Sequence, residues 1–222
     1  MTDSARLAPQ CVLFDLDMTL VDSSLAITCC LNMVASRFGL EPLERKDVME
    51  LIGFPMEKAM EKHWGRFDPE WLVWYRKSLV DIEMEQLHVL PGVVETLEMM
   101  HGSGFPMGVV TNRPNPVQVL AKTGLEPFFD VVLGANDVER PKPDPDPLLR
   151  GFSRMKIEPA RGLFVGDSMI DLETARRAGS PFVGVATGNA TVEDLAVSGA
   201  LAALEGMAGL PELLERCNGY NE

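Results

Sequence analysis

Apolar positions fall into two textures along this chain. Cys11-Val12-Leu13 is a short apolar run that passes directly into Phe14-Asp15-Leu16-Asp17. A run of that length ending in acids predicts a buried strand over about residues 11–16. The texture then changes. Ala26, Ile27, Cys30, Leu31, Val34, Ala35 and Phe38 recur at helical spacing, and Gly39 closes the helix. Lys46–Leu51 and Met56–Trp64 predict two shorter helices, the second opening after Pro55. Glu70–Glu85, carrying Trp71, Leu72, Trp74, Tyr75 and Leu79, predicts one longer helix. No strand-like alternation interrupts this stretch, so an all-helical block is expected.

From Pro91-Gly92 onward the pattern alternates. Helices are expected over Val93–Met100, Val117–Thr123, Pro147–Met155, Ile170–Ala178, Val192–Val197 and Leu210–Arg216. Strands are expected over Phe105–Val110, Phe129–Leu133, Gly162–Val165 and Phe182–Val185. Strands alternating with helices predict an α/β fold, a doubly wound, Rossmann-like parallel sheet covered on both faces. The expected division is a core of residues 1–22 and 89–222 with a helical cap of residues 23–88, hinged near Asp22–Ser24 and Leu90–Gly92. Residues 1–10 are expected to form a loose leader, without the apolar segment of a signal peptide.

Charge narrows the partners. The 222 residues carry a formal net charge of −13, which argues against nucleic acid or an anionic membrane as a partner. No apolar run is long enough to span a bilayer. Cys11, Cys29, Cys30 and Cys217 form no C-x-x-C pair, so reduced thiols in a cytoplasmic protein are expected. His63, His88 and His101 are scattered, which disfavours a histidine metal site.

The candidate chemistry lies just past the strand ends. Asp15 and Asp17 are two residues apart, a spacing that on a strand puts both carboxylates on one face. Carboxylates that close repel unless a cation or a shared proton relieves them, and a hard oxygen-seeking ion such as Mg²⁺ suits them. Later strands end at Thr111-Asn112-Arg113 and Gly166-Asp167-Ser168, with Asp171 one helical turn on. Lys142 sits in the stiff loop Pro141-Lys142-Pro143-Asp144-Pro145. In a parallel sheet these groups converge on one crevice at the carboxyl ends of the strands. Acids to bind a divalent cation, a hydroxyl, an amide and an ammonium for phosphoryl oxygens, and an acid left as nucleophile make a coherent set. Arg113 fits either the phosphate or the loop, and Leu51-Ile52-Gly53-Phe54-Pro55 fits either a substrate-selecting cap loop or an ordinary helix–helix turn.

In order, FDLDMTLVDS, VVTNR, RPKPDP and VGDSMID resemble the four motifs of the haloacid dehalogenase-like phosphohydrolases. The helical insertion resembles the family's first type of cap, and the likeness is nearest to its phosphoglycolate phosphatase-like group. The resemblance implies a small phosphorylated metabolite as substrate, Mg²⁺ as cofactor, a monomer or homodimer, and a role for each residue. Asp15 would be the nucleophile, forming an aspartyl-phosphate, and Asp17 the general acid and base as well as a metal ligand through its backbone carbonyl. Thr111, Asn112 and Lys142 would hold the phosphoryl group, and Lys142 would also neutralise developing charge. Asp15, Asp17, Asp167 and Asp171 would hold the metal. Met18 stands where the family usually has Gly; the turn is expected to tolerate the change, and whether the side chain narrows the pocket mouth is left open. No His follows the first motif, which lowers the phosphomutase alternative. A pyrophosphatase, or a phospho-acceptor signalling protein of a different class, remains as a further alternative.

Overall fold

The structure is a computed structural model that describes residues 8–218. Residues 1–7 of the expected leader lie outside them. In chain order the elements are β1 (Val12–Phe14), β2 (Val21–Asp22), α1 (Ser24–Phe38), α2 (Arg45–Met49), α3 (Met56–Trp64), α4 (Pro69–Ser78), α5 (Val80–Glu85), β3 (His88–Val89) and α6 (Val93–Gly102). They continue as β4 (Met107–Val110), α7 (Pro116–Thr123), β5 (Val131–Leu133), α8 (Asp146–Met155), β6 (Leu163–Gly166), α9 (Met169–Ala178), β7 (Phe182–Val185), α10 (Val192–Val197), β8 (Ala202–Leu204) and α11 (Leu210–Asn218).

Six strands form one parallel sheet in the order β5-β4-β1-β6-β7-β8. The strands after β1 build outward on one side as β4 and β5, then cross over to β6 on the other. This reversal makes β1 the switch point, where α/β sheets open a crevice at their carboxyl ends. Burial on both faces explains the continuous apolar runs of β1, β4 and β6, whose residues are all buried. One apolar cluster, including Phe14, Leu97 and Val165, covers one face of the sheet. Another, including Leu13, Phe152 and Phe164, covers the other face.

The cap helices have a core of their own, in which Leu31, Val34, Met60, Trp71, Tyr75 and Leu79 pack together. Its tryptophans stack edge to face, Trp64 on Trp71 at 5.4 Å. The helix expected over Glu70–Glu85 is two helices. The chain bends at Leu79 (φ −118°), a buried residue shared by the end of α4 and the start of α5. The bend turns Glu83 inward, where it is 4% exposed. Two further elements were not expected. The antiparallel pair β2–β3 joins cap to core, and β8 extends the sheet at its edge. All four cysteines are free thiols, and no helix among the described residues is long and apolar enough to cross a membrane.

Candidate active site

The ladders β1–β4 and β1–β6 fix which residues emerge side by side. Phe14 is level with Val109 and with Val165, so the chain leaves β1 at Asp15 between the exits of β4 and β6. Asp15 is tied into this register by its own N–H, which donates to Val165 O at 2.8 Å. The turn that follows places Met18 in the left-handed region (φ +60°), with its N–H donating to Val21 O at 2.7 Å. That conformation explains why glycine suits the position. Met18 is buried and is not among the residues lining the crevice, so its side chain does not narrow the mouth.

Carboxylate oxygens of Asp15, Asp167 and Asp171 come within 4.8 Å of one another, and all three residues are buried. Asp171 is in the first turn of α9, where Ser168 caps the helix and donates its hydroxyl to Asp171 Oδ2. Asp167 is held by Thr19, whose hydroxyl donates to Oδ1 at 3.0 Å. The backbone at Gly188 packs against Asp167 so closely that a Cβ there would lie 1.9 Å from Oδ2. Only glycine allows that approach. Lys142, 1% exposed, reaches the cluster with Nζ 2.7 Å from Asp15 Oδ1 and 2.6 Å from Asp171 Oδ1.

Three buried acids thus lie around one ammonium, which contacts two of them. The contact of Asp15 Oδ1 with Lys142 lacks hydrogen-bond geometry, and the oxygen has no other partner. Burial pushes the Asp15 carboxyl up to about 7, with Asp171 and Asp17 adding repulsion against the pull of Lys142. Burial, then Asp171 and Asp15, also raise the Asp167 carboxyl well above its ordinary range. An orphaned carboxylate oxygen in a cluster short of positive charge fits a divalent cation with hard oxygen ligands.

Asp17 behaves differently. Its side chain points away from the cluster to Arg113, which donates from Nη2 at 2.6 Å and from Nε at 3.1 and 3.2 Å. Burial pushes its carboxyl up, but the Arg113 charge and hydrogen bonds outweigh burial and hold it below the ordinary range. Arg113 Nη1 also pairs with Glu83 of the cap, and Glu83 Oε2 accepts from the Tyr75 hydroxyl at 2.6 Å. Arg113 is therefore a bridge between core and cap, which neither reading of it from sequence anticipated.

Thr111 lies buried beside the cluster, its Oγ1 accepting from the Arg113 N–H at 3.2 Å. The Asn112 side chain is engaged within the protein. Its amide donates to Gly53 O of the cap at 2.8 Å and to Lys142 O at 2.9 Å, while its Oδ1 accepts from Lys142 N at 2.8 Å. These bonds use both amide protons, so the side chain has none left for a phosphoryl oxygen. It holds the lysine loop and the cap loop in place instead. The cap loop does dip over the crevice, since Leu51, Ile52, Gly53 and Phe54 line it together with Asp15, Asp17, Thr111 and Arg113. Glu83 and Tyr75 escaped the sequence reading. The one available signal was their spacing, since Tyr75, Leu79 and Glu83 follow at i, i+4 and i+8, which sets an acid in an apolar stripe.

A family profile described as haloacid dehalogenase-like hydrolase matches residues 12–185. The chain is 35% identical over 207 residues to a phosphoglycolate phosphatase of Shigella dysenteriae serotype 1, covering 80% of this chain and 81% of that one. It is 33% identical over 204 residues to a phosphoglycolate phosphatase of Escherichia coli K12, with coverage of 80% and 81%. Among solved structures, a protein of Bacteroides fragilis ascribed to the haloacid dehalogenase-like hydrolases superposes with a TM-score of 0.83 at 27% identity, over 91% of this chain and 99% of that one.

Proposed function

The chain belongs to the haloacid dehalogenase-like hydrolases, and from that premise we propose that it hydrolyses a small phosphate monoester through an aspartyl-phosphate on Asp15, with Mg²⁺ as cofactor. The observation that carries this reading is the undercompensated cluster of Asp15, Asp167 and Asp171 around Lys142. Bound there by Asp15, Asp167, Asp171 and the Asp17 carbonyl, Mg²⁺ would offset carboxylate repulsion and shield the phosphate charge.

The chain's own groups divide the work. Asp15 attacks phosphorus, which splits one hard displacement into two easier ones. Lys142 sits against the nucleophile, where it screens charge on the phosphoryl oxygens, and the Thr111 hydroxyl donates to one of them. Asp17 gives a proton to the leaving oxygen and then takes one from the water that opens the aspartyl-phosphate. Arg113 holds Asp17 ionised in this arrangement, which prepares the second half of the cycle. The proton for the first half must be loaded onto Asp17 before the leaving oxygen departs.

Residues 23–88 act as a cap that closes over the crevice, with the β2–β3 pair as its hinge. The names of the relatives make phosphoglycolate the reference substrate. The test is phosphate release from a panel of monoesters, with and without Mg²⁺, alongside trapping of the phosphoenzyme. Release that is Mg²⁺-dependent and lost in Asp15→Asn supports the reading. Release that persists in Asp15→Asn removes the nucleophile assignment.

A further inference from the structure

A cavity of about 420 Å³ extends from Asp15 into the cap. It falls within the range of about 300–1,000 Å³ typical of sites that enclose drug-sized ligands. Its cap wall is apolar, formed by side chains such as Ile27, Leu31, Leu51, Leu72, Val80 and Met84. The charged or hydroxyl groups on that wall are Tyr75, Arg76 and Glu83, and each already has a partner. Tyr75 donates to Glu83, Glu83 pairs with Arg113, and Arg76 Nη2 lies 3.3 Å from Glu57 Oε1. Arg113, the core-side cation lining the cavity, is held between Asp17 and Glu83. Deep in the cavity the cation, Arg113, is committed to Asp17 and Glu83, so a short carboxylate-bearing leaving group would face the acids Asp15, Asp17 and Glu83; Arg76, half-exposed and held to Glu57 through Nη2 alone, lies at the solvent side of the wall. A two-carbon acid would also fill little of the volume and leave apolar wall against trapped water. At the mouth, Asn115, Gln118 and Asn136 offer neutral amides.

The geometry points to an uncharged leaving alcohol with an apolar body, larger than glycolate, as the group that the cap of this phosphatase accepts. The inference rests on the phosphatase reading only for the placement of the phosphate at Asp15. The leaving group lies along the cap wall, and any neutral polar end reaches the amides at the mouth.

The experiment is calorimetric titration of the whole protein, in Mg²⁺, with unreactive n-alkylphosphonates from ethyl to hexyl and with phosphonoacetate as the carboxylate-bearing probe. Affinity is expected to rise about fourfold per methylene, the gain of burying one CH₂. Phosphonoacetate is expected to bind more weakly than propylphosphonate. Met56→Lys places an ammonium on the cavity wall and is expected to improve phosphonoacetate relative to propylphosphonate by about tenfold, the scale of one modest charge-assisted contact. Affinity that is flat with chain length, a preference of the wild type for phosphonoacetate, or no change of ranking in Met56→Lys overturns the inference. Phosphate release from the matching alkyl phosphates, measured in parallel, separates the two readings. Chain-length-dependent binding without any release leaves the pocket assignment standing and removes the phosphatase reading. Release without chain-length dependence does the reverse.

Discussion

The two walls of the crevice follow opposite electrostatic rules. The core wall concentrates Asp15, Asp167 and Asp171 around the single ammonium of Lys142, and it leaves Asp15 Oδ1 without a hydrogen bond. The cap wall is apolar, and its polar side chains are paired within the protein. A wall short of positive charge is poised for a cation and for chemistry on an anion. A neutral wall contributes shape and dryness. Parallel strands in fixed register build the first, and short helices around a separate core build the second. On the proposed function, reaction and selection are divided between two packing units.

The largest expected effect tests the core wall alone. Asp15→Asn is expected to lower turnover by at least about 10⁴-fold, the scale on which loss of a nucleophile is felt. It also removes a buried charge that lacks full compensation, so without metal the variant is expected to melt at or above the wild-type temperature. A large loss of thermal stability would instead make Asp15 structural.

The bridge between the walls comes next. Arg113→Ala strands Asp17 and Glu83 as buried anions, since Arg113 is their ion-pair partner. Breaking a buried pair from one side costs about 3–5 kcal/mol. Urea unfolding is expected to show a loss of that order, with Glu83→Gln in the Arg113→Ala background restoring part of it. A midpoint unchanged in Arg113→Ala would mean that the pairs contribute nothing to holding cap and core together.

Legibility in the sequence follows the same division. Core strands announce themselves because burial on both faces demands unbroken apolar runs, and the acids that end them mark the crevice. Asp15 and Asp167 were legible for that reason, Asp171 by its place one helical turn after a strand end, and Lys142 by its stiff proline-framed loop. β8 was not, because Ala202-Ala203-Leu204 sits half-buried at an edge and lacks β-branched residues. The two-residue strands β2 and β3 are too short to show a period. The cap chemistry was hidden for another reason. Glu83 looks like any acid of an amphipathic helix until the bend at Leu79 turns it inward to Arg113, and that bend is decided by tertiary packing.

Metal tests the shortage of charge directly. At Mg²⁺ a hundredfold above its dissociation constant, stabilisation is expected to be about 2.7 kcal/mol. Its pH dependence follows from the sign of the shifts. The Asp15 carboxyl is raised from 3.8 to about 7 in the folded, metal-free state. Between those values the folded chain holds a proton that the unfolded chain has released, so metal-free stability falls as pH rises through this window. Metal binding needs the ionised form, so the shift in melting temperature caused by Mg²⁺ is expected to grow from about pH 4 to pH 7. A shift that is constant across the window would place the metal away from Asp15.

The smallest expected effect isolates the seam between the walls. Gly53 has φ +95°, a conformation that L side chains rarely adopt, and its carbonyl accepts from Asn112. A Cβ there would lie 3.5 Å from Ile170 Cδ1 and 3.7 Å from Ser168 Oγ, which are ordinary contacts. Space is therefore available, and Gly53→Ala is opposed by backbone strain alone, about 1 kcal/mol. Relief of that strain requires the loop to shift, which loosens the bond from Asn112 to the cap without touching the acids or Lys142. The expected result is a melting temperature a few degrees lower and a KM raised about fivefold, with kcat close to wild type. A fall in kcat at unchanged KM would mean that the cap loop acts on the reacting groups, and the division between a reacting wall and a selecting wall would not hold at this seam.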